Sequence, residues 1–138
     1  TWEPPVNDEL EFDWKAMMDA AGPYPIEAFR FVRDGLTFTA QRVHQEQPAG
    51  VGDHHISGQE LCVGLRDFAI DRYGLMAPPV LAHWHIRTTD DFGRIVFAMI
   101  DSGIMTKTDD DTFDDFRAVY DFNEAFSQDQ LTAGLTRN

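Results

Sequence analysis

The side chains with the most evident chemistry are five histidines and a run of aspartates. His44, the adjacent His54 and His55 beside Asp53, and the pair His83 and His85 about Trp84 could join carboxylates in a zinc or iron site. The second pair has the wrong spacing for this. On a helix, positions i and i+2 point about 200° apart, so His83 and His85 converge on one ion only from extended backbone. Surface or capping histidines are the simpler reading. His54 and His55 precede a helix start, where neighbouring side chains diverge. With nearby acids they form the metal-binding or metal-dependent-enzyme alternative, while the leading reading assigns no metal and no cofactor.

Asp109, Asp110, Asp111, Asp114 and Asp115 invite a calcium reading, because hard cations take several oxygen ligands. The run has no alternating ligand positions, mid-loop glycine or closing glutamate of an EF-hand loop. It reads as a solvated turn or as an aspartate-rich helix start, where negative charge is stabilising. No nucleophile elbow, phosphate loop, dinucleotide fingerprint or HExxH is present, so no catalytic residue is assigned and the reading leans away from an enzyme. Cys62 stands alone between Leu61 and Val63 and reads as a small buried hydrophobe.

The elements that would carry these residues are mostly helical. Leu10, Trp14, Met17, Met18 and Ala21 recur at helical spacing after possible caps at Asn7 or Asp8, predicting a helix over 7–21 that stops at Gly22. Phe29, Val32, Leu36, Ala40 and Val43 mark an amphipathic helix over 26–45, which Gly35, Thr37 and Thr39 weaken. Residues 48–53 read as a loop. Ser57-Gly-Gln-Glu60 is a capping box opening a helix that Gly74 ends. Pro78 and Pro79 fit the first turn of a short helix over 77–85. Thr88 or Thr89 then caps another, with Asp90 and Asp91 at its positive end and Gly103 as its stop. Residues 104–122 fit a two-stranded hairpin or a capped helix, and 127–138 read as a flexible tail.

The fold class is therefore mainly α. A single globular domain over 1–126 has N-terminal helices over 7–46, a helical core over 57–103 and an acidic hairpin or helix over 104–126. Residues 58–103 with a hairpin over 104–122 match the element order of a winged helix. At 138 residues the chain buries a substantial core. Its net charge of −13, from 24 acids and 11 bases, repels phosphate backbones and anionic lipid, so nucleic acid and membranes are poor partners. No apolar run approaches the length of a membrane span, no secretory signal is visible, and the cytoplasm is the expected location.

Ser57-Gly-Gln-Glu-Leu61, Gly64-Leu-Arg-Asp67, Asp91-Phe-Gly93, Ile95-Val-Phe97, Lys107-Thr108, Tyr120-Asp-Phe122 and Glu124-Ala-Phe126, with Tyr24, Ala28, Phe29 and Phe31 before them, form a pattern. It resembles a family of small conserved hypothetical proteins of planctomycetes, verrucomicrobia and acidobacteria. The resemblance implies a bacterial protein and no particular activity. The family pattern carries glycine where His85 stands, which weakens a metal role for His83 and His85. The expectation is an intracellular protein–protein interaction module, or an accessory subunit of a larger assembly. Its binding face would combine Lys107, Asp109, Asp110 and Asp111 with Phe113, Phe116 and Phe122.

Overall fold

The computed structural model describes residues 14–46, 56–105 and 111–135. Helix α1 (Trp14–Ala21) closes at Gly22, whose φ of +132° suits glycine and whose N–H donates to the Met18 carbonyl at 3.2 Å. After the prolines, α2 (Ile26–Glu46) runs 21 residues. It continues through Gly35, Thr37 and Thr39 despite their poor helix propensity, and packing accounts for two of them. A Cβ at Gly35 would lie 2.3 Å from Leu65 Cδ2, and a Cβ at Gly64 would lie 1.9 Å from Thr39 Oγ1. Gly35 and Thr39 sit where α3 (Gly58–Tyr73) crosses α2, while Thr37 is exposed. The buried Thr39 hydroxyl donates to the Gly35 carbonyl at 2.7 Å, so its polar atom is satisfied inside the interface.

Ser57 and Glu60 form the expected box at the start of α3. The Glu60 N–H donates to Ser57 Oγ at 3.0 Å, and the Ser57 N–H donates to Glu60 Oε1 at 3.1 Å. Gly74 ends the helix at φ +55° and leads through a 3-10 turn (Gly74–Met76) into α4 (Ala77–His83), with both prolines in its first turn. The helix stops two residues short of the sequence expectation. His85 takes φ +65°, and the Ile86 N–H folds back onto the Leu81 carbonyl at 2.9 Å. Helix α5 (Thr89–Asp101) follows with Phe92, Ile95, Val96 and Met99 buried, as its periodicity predicts. Phe31, Phe68, Tyr73 and Trp84 meet in the core, with Phe31 ring centroids 5.3 Å from Phe68 and 5.5 Å from Trp84.

The chain is mainly helical, and no strand occurs among the described residues. A hairpin over 104–122 finds no support in the described part of that segment. Thr112 and Asp115 instead cap a 3-10 helix (Phe113–Phe116), the Thr112 N–H donating to Asp115 Oδ2 at 3.1 Å. The physical reason is Phe116. Its ring enters between α3 and α5 at two glycines, where a Cβ at Gly58 would lie 3.1 Å from Phe116 Cε2 and one at Gly93 only 2.8 Å from Phe116 Cβ. Thr89 pins the same segment, donating to the Phe116 carbonyl at 2.7 Å and accepting from the Val119 N–H at 3.0 Å. Beyond α6 (Phe122–Ala125), where a flexible tail is expected, the chain forms α7 (Gln128–Leu135). Leu131 is buried and the helix rests on α3 and the 3-10 turn. No described helix is long and apolar enough to cross a membrane.

Candidate functional site

The densest polar cluster lies where the α1–α2 corner meets the entrance of α5. Asp91 is the third residue of α5, the position from which an acidic side chain reaches back to the cap, and its Oδ2 accepts from the Thr88 N–H at 3.0 Å. The same oxygen accepts from the Arg87 N–H at 2.8 Å and lies 3.3 Å from Thr88 Oγ1. Its other oxygen accepts from Arg94 Nη1 at 2.7 Å and from the hydroxyl of Tyr24, 67 residues away in the chain. Burial leaves Asp91 only 8% exposed and by itself would raise its pKa. The bonds from Tyr24, Arg87 and Thr88 and the charge of Arg94 outweigh burial and hold the carboxyl below the ordinary aspartate value. Tyr24 responds oppositely. Burial and the bond to an anion push its phenol up to about 12, so it remains a donor at neutral pH.

Ala21, Pro23 and Tyr24 on one side and His85, Arg87 and Arg94 on the other line a cleft of about 410 Å³ above this cluster. Two guanidiniums against one carboxylate leave it net positive in a chain of net charge −13. Sequence reasoning assigned Asp91 to the helix start but missed Tyr24 as its partner, because nothing local links residues so far apart. The pattern Thr88-x-x-Asp91 was the available signal for the cap itself.

A second cluster ties α2 to α3. Asp67 accepts from Arg42 Nη1 at 2.7 Å, and from Arg66 Nε at 3.0 Å and Nη2 at 2.9 Å. Cys62 is fully buried. Burial pushes its thiol up to about 12, with Asp90 adding to the effect, so it stays protonated, which is the state of a packing residue rather than a nucleophile. The part-buried Tyr120 phenol, also shifted upward by desolvation, donates to the Cys62 carbonyl at 2.7 Å.

Only part of the expected binding face falls among the described residues. Lys107, Asp109 and Asp110 lie outside the described residues, and Asp111 is half-buried. Phe116 is 4% exposed and belongs to the core, so it presents no aromatic surface. Phe113 packs on Phe97 with centroids 6.0 Å apart, and Phe122 packs on Phe92, Tyr120 and Phe126 at 5.8, 5.8 and 5.2 Å. Among the described residues the large exposed hydrophobics lie elsewhere, principally Leu75 at 52% and Met76 at 60%, in the turn between α3 and α4. His54 and His55 lie outside the described residues, while His83 and His85 are exposed. Among the described residues no group of three or more His, Cys, Asp or Glu could hold a metal ion.

Comparison of the chain with protein-family models, with curated proteins and with solved structures returned no match.

Proposed function

We propose that this protein is an interaction module that binds another protein through the Leu75–Met76 turn, aided by its negative field. One observation carries the reading. Two large apolar side chains stand more than half exposed on a turn whose flanks are anchored by buried Ile70, Ala77 and Leu81. A short turn held between two helices has little backbone ordering entropy left to lose on binding, which suits an interface anchor. Pro78 and Pro79 restrict the backbone on the α4 side of the turn. The net charge of −13 favours a partner with a basic surface and makes association sensitive to salt.

The segment first expected to bind contributes less. Its aromatics are engaged with the protein itself, leaving its aspartates as a source of negative field. A nucleic-acid-binding winged helix is disfavoured by the same charge. The test is capture from native lysate with the untagged chain and with Leu75→Glu/Met76→Glu. The expected result is a stoichiometric partner that the double variant loses and that about 0.5 M salt weakens. Identical capture by both proteins, or no partner at low salt, contradicts the reading.

A further inference from the structure

We propose that the cleft between the α1–α2 corner and the start of α5 binds a small organic oxyanion, with Arg87, Arg94 and His85 around its charged head and Ala21 and Pro23 against its apolar body. This does not rest on the Leu75–Met76 reading, since it uses different elements. Its volume of about 410 Å³ falls within the roughly 300–1,000 Å³ of small-molecule sites.

Two guanidiniums point to an anion, and a left-handed backbone position beside them points to a ligand site. Arg94 spends Nη1 on Asp91, which fixes the guanidinium while its side chain stays about half exposed, leaving other donors for a ligand. Arg87 commits only its backbone N–H to Asp91, and its exposed guanidinium has no ion-pair partner among the described residues. His85 places a side chain on the cleft wall from φ +65°, a conformation glycine would take without strain. Strained non-glycine positions persist where the surroundings enforce them, and they cluster at ligand sites. Asp91 presents no competing free acceptor to the ligand, because both its oxygens are occupied by donors. Tyr24 adds no charge, because its raised pKa keeps the phenol neutral.

The preferred class is a carboxylate carrying a few carbons, since Ala21 and Pro23 offer apolar contact that a bare inorganic anion cannot use. Butyrate and inorganic phosphate are the probes, titrated separately into the full chain and followed by amide chemical shifts. Butyrate should give saturable shifts at 21–24 and 85–94, with a Kd below about 10 mM. Arg87→Ala keeps the backbone N–H that Asp91 uses, so its fold is maintained while its affinity falls at least about ten-fold, or about 1.4 kcal/mol. His85→Gly should weaken binding and raise Tm together, because it removes a ligand contact and relieves backbone strain. Phosphate binding with the same Arg87 dependence, in place of butyrate, keeps the oxyanion site and removes the apolar body from its specificity. No saturable shift with either probe, or unchanged affinity in either variant, overturns the proposal.

Discussion

Helix α4 separates two corners built on opposite principles. At its start, the turn Gly74–Met76 has no side-chain cap, and Leu75 and Met76 face solvent. After its end, the chain turns through His85 and Ile86 into a cap where Asp91 takes donors from Arg87, Thr88, Arg94 and Tyr24. The second corner joins α1, α2 and α5 through one carboxylate, so Asp91 and Tyr24 are explained by folding. The first corner has Ala77 and Leu81 buried beneath it and α7 resting on the turn, yet leaves Leu75 and Met76 more than half exposed. In the proposed function that exposed pair is the surface a partner covers.

Substitution should separate the corners sharply. Asp91→Ala strips the acceptor from several donors at once and should cost about 3 kcal/mol in urea unfolding, near the upper range for bonds to a charged group. Because the fold holds the Asp91 carboxyl below its ordinary value, its stabilisation is complete above the unfolded value of about 3.9 and is lost as pH falls through the folded value. Acid unfolding of Asp91→Ala should lack that part of the pH slope.

Tyr24→Phe removes one donor and keeps the ring, for an expected loss of about 1.5 kcal/mol. Its phenol is raised to about 12 in the fold, so its contribution is present below the unfolded value of about 10 and is lost as pH rises towards 12. The alkaline limb of the stability profile should be shallower in Tyr24→Phe. At the other corner, Leu75→Glu/Met76→Glu should change stability by no more than about 0.5 kcal/mol, because both side chains already face water. A loss above about 2 kcal/mol there would make the turn a folding element and break the contrast.

The same contrast shows what the sequence could reveal. Local signals were legible: Ser57-x-x-Glu60 opens α3, the stripe of α5 is buried as its period requires, and the proline pair sits in the first turn of α4. For the segment after α5 the sequence leaves hairpin and capped helix open, although Thr112-x-x-Asp115 has the spacing of a capping box, and Ser127-x-x-Gln130 spans the start of α7. Periodicity does not decide between strand and helix there, and the deciding contact is Phe116 against Gly58 and Gly93, residues far away in the chain. Gly35 and Thr39 looked like flaws in a helix until α3 was placed against them. The cleft and the Tyr24–Asp91 bond were illegible for the same reason, since both are made by tertiary approach. Leu75 and Met76 gave no signal because a sequence does not show which apolar residues stay outside.

The most direct test of the central claim is site-specific photo-crosslinking in native cells, with the reactive group at position 76 and, as a control, at exposed Gln59 on α3. A single protein adduct formed in high yield from position 76 and absent from position 59 is the predicted result. Equal adducts from both positions, or none from position 76, would contradict a binding face at the Leu75–Met76 turn.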